Sequence, residues 1–349
     1  DTTEARYGEM ARLMVETGNW LTPQFDYGIP FWGKPPMFAW MSASGLTLFG
    51  FNEFAVRAPH WFAGILTLML IGFMAKRAGF NPLIASIVLA TCGIFSISAG
   101  AVMTDMALTL TFTIAMMGFY YAWLHYKDKR KAQLWGYLGF VGLGLALLAK
   151  GPVAIVLMGI AVFPWLVLQH GLFGAFRVLW QRFPLITGSI LMLLIALPWY
   201  IMAEIATPNF LNYFIIGEHF NRFLVSRWEG DLYGSAHDEP KGMIWIFWLQ
   251  SAAPWSVVLP LLMWFRKERI KEINQKNPGF ISFFICWLLS PLILFTLAGN
   301  ILPAYVLPGI PALGMLISIF IIDKDNKWFV GVSMILPILL LIALSLIHI

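Results

Sequence analysis

Residues 133–169 read QLWGYLGFVGLGLALLAKGPVAIVLMGIAVFPWLVLQ, two apolar runs that meet at Lys150-Gly151-Pro152. A helix crossing the hydrocarbon layer takes roughly 20 mostly apolar residues, and each run comes close to that length. The only charge in the stretch stands at the turn, so it reads as a transmembrane helical hairpin. Outward from it, comparable runs lie at about 54–75, 82–100, 106–125, 184–205, 243–265, 280–298, 303–322 and 328–349. Together these predict an all-α polytopic bundle of about ten spans. Composition agrees: 59% of the 349 residues are hydrophobic and 12% charged, where soluble domains carry about a quarter charged. A mean hydropathy of +0.75 excludes a disordered chain, which needs low hydrophobicity and high charge.

Alternating the spans puts Lys76, Arg77, the basic residues of 127–131, Arg177, Arg182, those of 266–276, Lys324 and Lys327 on one side, 15 of the 23 Lys and Arg. Cytoplasmic loops carry that excess, so this side reads as the cytoplasm and the opposite side, rich in acids, as the outer face. The basic residues occur as short clusters between apolar runs, and a net charge of +5 therefore reflects topology and implies no nucleic-acid partner. Cys92 and Cys286 lie inside apolar runs, which leaves no disulfide framework. No Walker A or strand-borne GxGxxG motif offers a nucleotide seat.

Residues 1–53 fall on the outer side as juxtamembrane helices and a first outer loop, and residues 54–349 form the bundle, with a second outer loop at about 206–241. Between Glu4 and Gly18 the apolar Tyr7, Met10, Leu13 and Met14 share one helical face, with Glu9, Arg12 and Glu16 on another, the pattern of a helix lying in the interface. The apolar run 36–50 is too short to span and reads as interfacial or re-entrant. The chain starts at Asp1 and ends in an apolar run, so a preceding span and a C-terminal part are expected beyond it.

Ionisable groups at membrane depth are costly and are functional candidates. Asp105 at a span junction, Lys150 in the outer turn, Lys34 in Phe-Trp-Gly-Lys-Pro-Pro, and Glu218, His219 and Arg222 in the second loop gather at outer helix ends. Each also has a plainer reading. Asp105 suits a helix N-cap, Lys150 a snorkelling side chain, Lys34 a solvated loop cation, and Glu218 with His219 a solvated pair or ligands of a divalent metal ion. The acidic run 229–239 reads as a solvated loop. As a set, Lys34, Lys150 and Arg222 suit a phosphate whose apolar tail lies between helices, with a carboxylate left to act on an acceptor hydroxyl.

The ordered motifs Thr3-Glu4-Ala5-Arg6-Tyr7-Gly8-Glu9-Met10, Gly18-Asn19-Trp20-Leu21-Thr22-Pro23, Gly33-Lys34-Pro35-Pro36, Thr104-Asp105-Met106, Lys150-Gly151-Pro152 and Leu302-Pro303-Ala304-Tyr305-Val306-Leu307-Pro308 resemble the GT-C superfamily of membrane glycosyltransferases, in particular its bacterial aminoarabinose-transferase and protein-mannosyltransferase-like members. The resemblance implies an inverting transferase of the bacterial inner membrane, working on its periplasmic face. Its donor is a sugar on an undecaprenyl-type polyprenyl phosphate, and its acceptor is lipid A, a protein or a glycan. A lipid-linked sugar flippase using the same binding groups is the alternative. The resemblance further implies Asp105 and a first-loop acid, Glu4 or Asp1, as catalytic carboxylates, since Thr3 stands where many relatives have Asp. It implies Lys34 and Arg222, with Arg6 and Lys150, at the donor phosphate, and Tyr7 and Tyr305 at the substrate. Gly33 replaces a carboxylate that often precedes the lysine, which bears on any metal site there.

Overall fold

The computed structural model describes residues 2–225, 228–233 and 237–321. Asp1 and the expected span 328–349 lie outside them. Helix α1 (Thr2–Thr17) stops at Gly18, whose φ of 69° needs a residue without a Cβ. It buries Tyr7, Met10, Ala11, Leu13 and Met14 and leaves Arg12 outside between Glu9 and Glu16, as the spacing requires. A small antiparallel hairpin, β1 (Gln24–Asp26) and β2 (Ile29–Pro30), leads into α2 (Met37–Phe49). α2 packs on α1 and on the first long helix, and Tyr7, Phe31, Phe38 and Val102 share a separate core beneath this cap.

The bundle follows. α3 (Glu53–Arg77) starts at Asn52, whose side chain accepts from the Ala55 N–H at 2.9 Å. After it come α4 (Pro82–Ala90), α5 (Gly93–Gly100), α6 (Thr104–Leu124), α7 (Lys129–Lys150), α8 (Val153–Arg182) and α9 (Leu185–Ala206). A π-helical segment (Asn212–Asn221) and a single turn α10 (Arg222–Leu224) precede α11 (Met243–Ser251), α12 (Trp255–Phe265), α13 (Lys267–Lys276) and α14 (Phe280–Phe295). A 3-10 segment (Pro303–Gly309) then feeds α15 (Ile310–Ser318).

Among the described residues, five helices are long and apolar enough to cross a membrane, or up to eight if each bent pair counts as one span. Several expected spans are therefore not single straight helices. The run 82–100 bends by 74° between α4 and α5, and 243–265 bends by 91° between α11 and α12, where Pro254 has no N–H to carry the helix on. The run 303–322 holds Pro303, Pro308 and Pro311, and its first turns tighten to 3-10 geometry before α15 forms. The span 152–169 ends where expected, because Gly171 at φ 71° breaks α8.

Helix α6 is the most enclosed of the five long helices. It lies against α7 along a seam of small residues: a Cβ on Gly118 would sit 2.4 Å from the Gly139 nitrogen, and one on Gly142 2.6 Å from the Ala115 nitrogen. Close backbone approach of this kind is how apolar helices gain packing where no water drives them together. The seam fixes both ends of the pair. At the C-terminal end of α6, Arg77 lies over Tyr121 and Arg182 over Tyr126, so basic residues assigned to the cytoplasmic side meet there. Asp105 and Lys150 are at the other end, about 30 Å away for a helix of this length.

Candidate active site

At that second end, α1, the β2–α2 link, the start of α6, the end of α7, the π-helical segment and the 3-10 segment surround a cavity of about 290 Å³. Arg6, Tyr7, Lys34, Asp105, Lys150, Glu218, Arg222 and Tyr305 all line it, so residues from both ends of the sequence converge on one space. The fold accounts for each position. Asp105 is in the first turn of α6, Lys150 is the last residue of α7, and Arg222 closes the π-helical segment.

Two charged clusters form the wall. In the first, the Lys34 ammonium donates to Glu218 Oε2 at 2.8 Å and to the Gly33 carbonyl at 2.7 Å. Arg222 Nη1 donates to both Glu218 oxygens, at 3.1 and 3.0 Å, and lies 3.4 Å from Asp231. Tyr213 also donates to Glu218, at 3.2 Å. The Glu218 side chain is only 2% exposed. Burial alone would raise its carboxyl pKa, but the charges of Lys34 and Arg222 and their hydrogen bonds outweigh burial and hold it below the usual range. In the second cluster Lys150 donates to Asp105 Oδ1 and lies 4.4 Å from the centre of the Tyr305 ring. Asp105 is 4% exposed. Its helix has Met103 as N-cap with no side-chain cap bond, so Asp105 is held by Lys150 and not by a capping role.

Tyr7 lines the cavity, edge-on to Phe31 and tilted against Phe38. Burial, then the charge of Asp105, push its hydroxyl pKa up, so it stays a neutral phenol. Arg6 donates to the Tyr233 carbonyl and lies over Phe25, which ties α1 to the second loop.

Glu4 is not brought to the cavity wall. Its carboxylate binds Arg57 at 2.7 Å and accepts from the Val102 N–H at 3.3 Å, and the Arg57 bond lowers its pKa despite partial burial. Because Val102 leads directly into α6, Glu4 fixes the approach to Asp105. Thr3 lines the cavity in its place. Glu218 and His219 also part company. Glu218 is held by cations, whereas His219 donates Nδ1–H to the Phe214 carbonyl at 2.8 Å, and burial lowers its pKa. Among the described residues no group of three or more His, Cys, Asp or Glu could hold a metal ion.

Sequence reasoning missed Tyr213, Asp231, Tyr233 and Asn300. The 229–239 run is not simply solvated: Asp231 has a side chain 6% exposed and pairs with Arg222. Tyr233 accepts from the Trp32 N–H and donates to the Pro30 carbonyl, both at 3.0 Å, and packs 4.6 Å from Phe31. An aromatic inside an acidic loop was the available signal.

The family model described as dolichyl-phosphate-mannose-protein mannosyltransferase matches residues 1–214. The chain belongs to this family. It is 31% identical over 319 residues to an undecaprenyl phosphate-alpha-4-amino-4-deoxy-L-arabinose arabinosyl transferase of Erwinia tasmaniensis, covering 90% of this chain and 54% of the relative. With the corresponding protein of Shewanella sediminis it shares 29% identity, covering 93% and 56%. The crystal structure of ArnT from Cupriavidus metallidurans bound to undecaprenyl phosphate superposes with a TM-score of 0.76 at 24% identity, over 90% of this chain and 54% of that one. These matches establish a membrane glycosyltransferase fold of the GT-C kind for this family member. The chain spans about half the length of the curated relatives it matches.

Proposed function

We propose that the whole protein is an inverting glycosyltransferase that moves a sugar from a polyprenyl phosphate to a lipid, protein or glycan acceptor on the periplasmic face of a bacterial inner membrane. The observation that carries this reading is one cavity, at the bundle end far from the basic clusters, where the cations Lys34 and Arg222 stand beside a separate carboxylate, Asp105. The names of the relatives support undecaprenyl phosphate as carrier and 4-amino-4-deoxy-arabinose as sugar, which makes pentosyl transfer, with lipid A among the lipid acceptors, the finer form of the proposal.

In the step itself, an acceptor oxygen attacks the anomeric carbon from the face opposite the phosphate. The bond to the phosphate oxygen breaks and its electron pair stays on the phosphate. Lys34 and Arg222, held in place before the ligand arrives, stabilise the charge that builds there, and stabilisation of that kind is a major source of rate enhancement. A hydroxyl acceptor gives its proton to Asp105, whose carboxylate is oriented by Lys150. A phosphate acceptor is already anionic and needs no base, and Asp105 then positions the sugar or an ion.

A flippase would use the same cations without breaking a bond. To separate the two, full-length protein is incubated with undecaprenyl phosphate carrying a radiolabelled sugar and with acceptor extracts. Label on an acceptor and free undecaprenyl phosphate are expected; intact donor in every extract would count against the enzyme.

A further inference from the structure

Beside the main cavity lies a chamber of about 90 Å³, walled by Lys34, Lys150, Glu218, His219, Arg222, Asn300 and Tyr305 and flanked by the apolar Val153, Phe223 and Phe295. Asn300 sits in the link between α14 and the 3-10 segment and is 6% exposed. Its Oδ1 accepts the backbone N–H of His237 at 3.1 Å. A backbone N–H can only donate, so this bond fixes which end of the amide is oxygen. The Nδ2 end is left buried and without a partner among the described residues.

Arg222 Nε is also buried and unpartnered, although Nη1 of the same side chain is engaged by Glu218 and Asp231. Four side-chain atoms in the described residues share this condition, and the other two, on His60 and Trp248, are in residues that do not line the chamber. Leaving a buried donor without an acceptor is costly, and native structures rarely do it without a reason. Two such donors share a chamber wall in which three cations, Lys34, Lys150 and Arg222, face one carboxylate, Glu218, that Lys34 and Arg222 already hold, and this suits a ligand that only accepts hydrogen bonds and carries negative charge.

We propose that Asn300 is a further phosphate-binding residue, its Nδ2 donating to a non-bridging oxygen of a lipid phosphate seated in this chamber. The proposal rests on the donor class inferred above. Arg222 Nε supplies a second donor, and the apolar flank of Val153, Phe223 and Phe295 favours a phosphate with a hydrocarbon tail over free phosphate. Unlike the lysines, the amide adds a directional bond without adding charge, so it helps to fix the phosphate in place without tightening every anion indiscriminately.

The test titrates full-length protein with undecaprenyl phosphate, undecaprenol and inorganic phosphate, for the wild type, Asn300→Ala and Asn300→Asp. Asn300→Ala is expected to weaken undecaprenyl phosphate at least about tenfold, the low end for hydrogen bonds to charged groups, and to leave undecaprenol unchanged. Asn300→Asp keeps the acceptor for His237, so it retains thermal stability, yet it loses the donor and is expected to weaken undecaprenyl phosphate further. Unchanged affinity in Asn300→Ala, or an equal loss for undecaprenol, would overturn the assignment, the latter because a disturbed turn would then be the cause. Inorganic phosphate binding the wild type as tightly as the lipid would overturn the lipid part of it. A wild type with no preference for undecaprenyl phosphate over undecaprenol would instead overturn the functional reading on which the proposal stands.

Discussion

Glu218 holds together two cations that would otherwise repel each other, Lys34 and Arg222. Lys34→Ala leaves Arg222 to satisfy that carboxylate, so thermal stability should change little. Transfer should fall by about 2–4 kcal/mol of transition-state stabilisation, the range for one preorganised donor; steady-state kinetics would show this, and unchanged turnover at saturating donor would reduce Lys34 to a loop cation. Asp105→Asn keeps the shape but cannot take a proton, so donor binding should persist while transfer to a hydroxyl acceptor is lost. The pH dependence follows from the lowered carboxyl of Glu218. A carboxyl depressed in the folded state contributes stability above its unfolded pKa, about 4.3 for Glu, and loses it as pH falls through the folded value. The gap in melting temperature between the wild type and Glu218→Gln should therefore be widest near neutrality and shrink below about pH 4. Lys34, Asp105, Lys150 and Arg222 were legible because charge beside apolar runs is costly and stands out, and Tyr305 was legible only through the family resemblance. Asp231 and Asn300 were not, since a loop acid and a loop amide look solvated until another element covers them.

At the level of elements, α1 followed directly from its apolar spacing and its glycine stop, and α2 from its length. The bends between α4 and α5 and between α11 and α12 were hidden, because hydropathy reads apolar content and is blind to direction. Proline at 254, 303, 308 and 311 was the visible trace of where helical hydrogen bonding would fail. The α6–α7 seam carries the clearest consequence. A side chain at 142 meets backbone 2.6 Å away, so Gly142→Leu must push the helices apart, a cost of about 1–3 kcal/mol or more. The Asp105–Lys150 pair at the end of the seam should separate with it. Lower thermal stability together with lost transfer is expected, and a variant of wild-type stability and activity would show that the seam does not position the site.

Across the whole molecule, the account places the cavity on the side opposite the basic clusters. A cysteine replacing the exposed Asp26 should react with an impermeant thiol reagent in spheroplasts, whereas one replacing the exposed Asn274 should react only after lysis; the reverse pattern would move the site to the cytoplasm. The central claim, a single displacement on a lipid-linked sugar, has a more direct test. Full-length protein is supplied with undecaprenyl phosphate bearing a sugar of known anomeric configuration, and the configuration in the isolated product is read by NMR. The account predicts inversion, and transfer abolished in Asp105→Asn when the acceptor is a hydroxyl; a product with the donor's configuration would contradict it.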